Sequence, residues 1–153
     1  MRFIYQYLSL IPIVTIDASD KINFENTVQK LSSSHKVKKT LSDKFLRHLV
    51  YSSNIEKTSK KLESWHELEF ADFLKELNKA IKATNKIRSK ENHPEIPALT
   101  KLDEMDWMDA FEVKKKEAQE LQTQIQQTEK QIDQMVYKLY GLTEEEIAIV
   151  EKS

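Results

Sequence analysis

The stretch QIDQMVYKLYGLTEEEIAIVE, residues 131–151, reads as a helix, a one-residue stop and a second helix start. Ile132, Met135, Val136 and Leu139 recur three and four residues apart, so they share one helical face. Gly141 is the single glycine in 153 residues. Glycine is the residue that the left-handed position just past a helix end favours, so the helix stops there. Thr143 then caps a new helix. Glu146, three residues on, returns a bond to the cap's backbone N–H, and Glu144 and Glu145 meet the positive end of the dipole. Leu142 before the cap stands in staple register with Ile147. The chain turns a defined corner here without a strand, and an all-α fold follows.

Upstream, the same helix extends a long way. Thr100 with Asp103 forms a start signal, and Trp107, Phe111, Lys114, Ala118, Leu121, Ile125, Thr128, Ile132, Met135 and Leu139 step by four and three. That heptad pattern predicts one helix over 100–140, about 60 Å long at 1.5 Å per residue. Such a stripe needs a partner helix. One source is the segment 24–51, giving an antiparallel coiled-coil hairpin or bundle; a second chain is the other. Lys114 and Thr128 in the seam cost stability and fix register.

Within 24–51, Phe24, Val28 and Leu31 start a stripe that Val37, Leu41, Phe45 and Leu49 continue, with Ser32, Ser33 and Ser34 as the place for a bend. Turn and capping residues over 17–23 place the helix start at Asn23 or Phe24, and Ser52, Ser53 and Asn54 end it. Phe45 and Tyr51 fall on the core side by spacing. A polar connector carries Lys57, Lys60 and Lys61 to Leu62 and Trp65. Phe70, Phe73, Leu74, Leu77 and Ile81 then predict a helix over 70–87, and Pro94 and Pro97 a loop over 90–99. Trp65, Trp107 and Phe111 are expected to anchor packing. The first sixteen residues read instead as short strands, from the alternation of Phe3, Tyr5 and Tyr7 and the β-branched run Ile13, Val14, Thr15, Ile16.

Composition bounds the function. Charged residues make up 32% and hydrophobic ones 39%, with three prolines, so the helices are long and solvated. Without cysteine there is neither a disulfide framework nor a thiolate metal site, which fits a cytoplasmic setting. No apolar run reaches the roughly 18–20 residues of a helical membrane span. Gln6 and Pro12 break the run over 3–14, and no small-x-small cleavage site follows it, which argues against a secretory signal. The formal charge of −1 hides a segregation. Over 30–61, nine Lys and Arg stand against Asp43 and Glu56, a balance of +7; over 101–153, seven stand against thirteen Asp and Glu, a balance of −6. The first segment suits phosphates and the second repels them.

The runs IDQMVYKLYGLTEEEIAIVE (132–151), WHELEFADFLKELNKA (65–80) and EMDWMDAF (104–111) resemble the C-terminal region of type IIG restriction-modification enzymes. Those are single chains that join an adenine-specific DNA methyltransferase, often an endonuclease, and a target-recognition domain. The resemblance spans roughly residues 1–153, with the last twenty its most specific part and 82–98 its weakest. It implies that YLSLIPI (7–13) closes a target-recognition domain whose body lies upstream of Met1. Residues 1–16 are then the end of that domain, 17–99 a helical region with the basic segment 30–61, and 100–153 the heptad helix, Gly141 stop and short last helix. A parent of this kind uses S-adenosylmethionine and Mg; this chain is expected to hold no cofactor.

The catalytic signatures of such a parent are missing. An adenine methyltransferase announces its base pocket by Asn or Asp before Pro-Pro-Tyr or Pro-Pro-Phe, and its methyl donor by a glycine-rich turn. Here no prolines are adjacent. Glu112-Val113-Lys114 matches the Glu-x-Lys of restriction nucleases in letters, but on a helix the two charged side chains diverge. His35, His48, His66 and His93 lack metal-ligand spacing, and no hydrolase motif is present. What stands out is Lys36, Lys38, Lys39, Lys44, Arg47, Lys57, Lys60 and Lys61. The residues alone leave two readings: solvated faces that balance the acidic helix, or contacts that position duplex DNA by its phosphates without reading it. The resemblance brings the DNA reading forward, as a non-catalytic helical part that supports target recognition. The alternative is a free-standing coiled-coil module that binds a partner or a second copy through the 107–139 heptad face.

Overall fold

The computed structural model describes residues 14–152. Among them the regular structure is helical: α1 (Ala18–Ser53), α2 (Lys60–Glu63), a 3-10 turn (Trp65–Glu67), α3 (Phe70–Lys90), α4 (Lys101–Tyr140) and α5 (Glu144–Val150). The all-α class therefore holds. The expected strands at 1–13 lie outside the described residues, and Val14, Thr15 and Ile16 carry no regular structure. The chain divides into two compact units, Ser33–Ile125 and a second formed by Met1–Ser32 with Gln126–Ser153.

In the unit Ser33–Ile125 the core is aromatic. Phe45 stacks on Trp65 with ring centroids 4.0 Å apart, Phe73 lies 4.7 Å from Phe111, and Trp107 meets both Phe45 and Phe73 at 6.3 and 5.9 Å. Leu49, Leu62, Leu77 and Phe111 are fully buried around them. α1, the 3-10 turn, α3 and α4 each send rings into this cluster, which is what makes them one unit. Trp65 buries its indole and still satisfies its N–H, which donates to Ser42 Oγ at 3.2 Å. The connector is thus more structured than its polar composition suggests. Ser59 accepts from the Leu62 N–H and starts α2, and Ile55 and Leu62 join the core.

Polar contacts fix the edges of this unit. Asn85 donates to the Ile96 carbonyl at 2.9 Å and accepts from its N–H at 2.8 Å, pinning the proline-rich loop to α3. Buried Glu76 accepts from Lys79 at 2.7 Å and Ser59 at 3.2 Å, and the Lys79 bond, chiefly, holds its carboxyl below the ordinary range. Thr100 and Asp103 form the expected start of α4, with the Thr100 N–H on Asp103 Oδ2 at 2.8 Å and the Asp103 N–H on Thr100 Oγ1 at 3.2 Å. Asn54 and Asn92 adopt φ of 50° and 54°, doing after α1 and α3 what glycine does elsewhere.

The other unit contains residues 14–32 of the described chain and 126–152. Half-buried Phe24, Thr27 and Leu31 on α1 belong with half-buried Ile132, Met135, Val136 and Leu139 on α4; Asn23 and Thr27 line a shallow surface with Gln131, Met135 and Lys138. Thr128 on α4 is 2% exposed. The corner is built as its letters indicate. Gly141 has φ +64°, its N–H bonds the Lys138 carbonyl, and the Leu142 N–H bonds the Tyr137 carbonyl at 3.0 Å, a Schellman ending. The Thr143–Glu146 capping box is complete, and Leu142 and Ile147 are both half-buried.

Three expectations are corrected. First, α1 begins at Ala18, not Asn23 or Phe24, because Asp17 caps it: Asp17 Oδ1 accepts from the Asp20 N–H at 2.8 Å, which holds its carboxyl low. Second, Val28 and Val37 are 41% and 53% exposed, because the buried side of α1 is carried by Phe24, Thr27 and Leu31 around the first and by Leu41, Phe45 and Leu49 around the second. Third, Tyr51 is 84% exposed, since α1 turns that face to solvent. The serines do not interrupt α1, which is helical throughout.

Two predictions follow from these local arrangements. A Cβ added at Gly141 meets nothing within 4 Å, so Gly141→Ala costs only the left-handed conformation, about 1 kcal/mol, and Gly141→Asn less; urea midpoints with an unchanged slope will show both. His66 is half-buried beside Trp65, and burial first, then the positive charge of Lys38, push its pKa below the ordinary value, against Glu67. The unfolded histidine takes up a proton at higher pH than the folded one. Stability is then fully present above about pH 6.5 and falls as the pH drops through and below it. His66→Gln will flatten that part of the profile, read as urea midpoint against pH.

Candidate nucleic-acid interface and an adjoining groove

The eight expected DNA-contacting cations do not form one patch. At about 100° per residue, Lys36, Lys39, Lys44 and Arg47 share one broad face of α1, and all four are exposed. Lys38 lies on the opposite side. It is half-buried and donates to Gln122 Oε1 at 2.6 Å, so its charge is turned inward, toward α4 and His66. Lys39 makes an exposed ion pair with Asp43 at 3.4 Å, and Arg47 Nε donates to the Asp43 carbonyl on its own helix at 3.3 Å. Neither contact neutralises a cation strongly, because exposed pairs contribute little.

Lys57, Lys60 and Lys61 are exposed on the connector. Arg47 and Tyr51 line a shallow depression with Leu46, Val50 and Thr58, which brings the connector beside the last turns of α1. The structure thus unites Arg47, the neighbourhood of Lys57 and an exposed aromatic ring. Sequence reasoning placed Tyr51 in the core and missed it. The signal was available in retrospect: Tyr51 is four residues from Arg47, whereas core Phe45 and Leu49 lie on another side.

Lys36 and Lys44 border a second feature, an open groove of about 830 Å³ in the unit Ser33–Ile125. Its floor is apolar: Val37, Leu41 and Phe45 from α1, and Ala110 and Val113 from α4. Val37 and Val113 are 53% and 57% exposed. The α1 lip carries Lys36, Lys44 and His48; the α4 lip carries Asp109 and Glu117, with Lys114 bonded to Glu117 at 2.7 Å. The spacing of Val37, Leu41 and Phe45 marks the α1 wall of this groove, but it does not say that the outer edge of that stripe stays open beside Ala110 and Val113.

Of the other singled-out residues, Glu112, Val113 and Lys114 lie inside α4, where Lys114 is bound to Glu117. Lys115, only 8% exposed, holds Glu69 at 2.9 Å and sits 5.7 Å from the Phe111 ring centre, a structural ion pair and cation–π contact. Among the described residues no group of three or more His, Asp and Glu side chains is placed to hold a metal ion, and no helix is long and apolar enough to cross a membrane.

No curated protein and no solved structure matches the chain. A family model does, over residues 17–136, from the cap of α1 to the last turns of α4. With most of its length covered in this way, the chain belongs to the family described as a domain of unknown function, DUF8810.

Proposed function

We propose that this chain is a non-catalytic helical part of a restriction-modification adenine DNA methyltransferase or endonuclease, working in the cytoplasm, and that it supports target recognition by holding the phosphate backbone of duplex DNA. The observation that carries the DNA contact is the exposed cation set at the end of α1, with Arg47 and Tyr51 beside the connector of Lys57, Lys60 and Lys61. Cations on long stems with no strong internal partner suit phosphate oxygens, and they position a duplex without reading it. The parent is supported by the sequence resemblance of residues 65–80, 104–111 and 132–151. S-adenosylmethionine and Mg belong to the catalytic parts of such a parent, and nothing in this chain's function requires them.

The support that presents these cations is an antiparallel coiled-coil hairpin of α1 and α4 within Ser33–Ile125. The contacts run in opposite order along the two helices, Lys38 to Gln122, Phe45 to Phe111 and His48 to Trp107. This fixes the cationic face of α1 against a rigid aromatic core.

Fluorescence anisotropy with an arbitrary labelled duplex tests the proposal. Weak, sequence-independent binding is expected, with log affinity falling linearly in log salt at about 0.9 per phosphate contacted. Arg47→Glu with Lys57→Glu will weaken it by roughly tenfold or more and shallow the salt slope. Lys38→Glu will act instead on stability, through Gln122. Absence of binding at low salt, or binding that ignores the Arg47 and Lys57 changes, overturns the reading.

A further inference from the structure

We infer that the groove between α1 and α4 is the contact surface of a symmetric dimer, occupied by the same groove of a second copy of this chain. The inference is independent of the DNA contact, which rests on other residues. An open surface with Val37 and Val113 more than half exposed over a Leu41 and Phe45 floor is costly to leave in water. Both helices already bury their main stripes in their own unit: Phe45 and Leu49 on α1, and Trp107, Phe111 and Ala118 on α4. The groove is the open flank of those stripes, reached by Val37, Leu41 and Phe45 on α1 and by Ala110 and Val113 on α4.

Charge selects the occupant. The lips differ in sign: Lys36 and Lys44 on α1, Asp109 and Glu117 on α4, with Lys114 engaged by Glu117. A two-fold axis parallel to the helices lays α1 of one copy against α4 of the other at the same level. The pairing of Phe45 with Phe111 and Lys38 with Gln122 puts Lys44 near the level of Val113, between Asp109 and Glu117. Lys44 of each copy then faces those carboxylates of the other, and Lys36 falls about two turns beyond Glu117. An axis perpendicular to the helices sets α1 against α1 and brings lysines against lysines, so it is disfavoured. The surface is self-complementary in one orientation, which is the condition for an isologous interface.

Sedimentation equilibrium of the full chain tests this. A dimer is expected at about 100 µM, with its dissociation constant raised roughly tenfold by either Lys44→Glu or Asp109→Lys and brought back by the two together, since the swapped charges again face each other. Val113→Asp will give a monomer with unchanged helical circular dichroism. A wild-type monomer at that concentration overturns the inference. So does a dimer whose affinity ignores all four variants, because its interface then lies elsewhere. Should Val113→Asp unfold the chain, the charge-swap pair decides alone: rescue in the double variant upholds the groove, and no rescue overturns it.

Discussion

The contact on which the larger unit depends is the stack of Phe45 on Trp65, ring centroids 4.0 Å apart, inside the cluster completed by Phe73, Trp107 and Phe111. In a chain that is 32% charged with a single glycine, apolar area is scarce, and these five rings concentrate it. Rings bury more area per residue than aliphatic side chains, and each well-placed pair adds about 0.5–1.5 kcal/mol beyond area. A few positions on long polar helices therefore suffice. The five rings come from four elements: Phe45 from α1, Trp65 from the 3-10 turn, Phe73 from α3, Trp107 and Phe111 from α4. Loss of Trp65 releases the connector as well as the helices.

That constraint explains where cations can stand. Once Phe45 points into the cluster, the helical period fixes the rest of α1. Lys38, seven residues earlier, is carried to the same side and must find Gln122, while Lys36, Lys44 and Arg47 are carried outward. The same rotation exposes Tyr51 and places Val37 on the open groove. A basic run that looks uniform in sequence is sorted by the core into one inward hydrogen bond, two groove-lining lysines and an outer set beside the connector.

How much of this was legible follows the same division. Elements whose signals are local came through: the Gly141 ending, the Thr143–Glu146 box, the Thr100 start of α4 and the α3 stripe all depend on residues within four positions of one another. The sequence pattern places the α1 start at Asn23 or Phe24, five or six residues late, because Asp17 is followed by Ala18-Ser19-Asp20-Lys21, with no apolar period to mark a helix that its cap nonetheless begins. Tyr51, Val28 and Val37 were misplaced because apolar letters at near-helical spacing do not say which of two adjacent faces meets a partner. The pairing of Asn85 with Ile96, and of Lys115 with Glu69, lies beyond any local rule.

The candidate site was legible as composition and not as geometry. A balance of +7 over 30–61 says that phosphate contact is affordable, but the useful quantity is the number of cations that reach one surface together. Lys38 is removed from that number by a 2.6 Å bond to Gln122, and Lys36 and Lys44 border the groove. The packing of α1 on the core thus leaves a smaller, better-defined cationic surface at the end of α1. A chain with the same composition but Lys38 and Arg47 exchanged would turn its largest, most delocalised cation inward, beside Gln122. Guanidinium geometry suits phosphate oxygens on an open surface, and the present placement keeps it there.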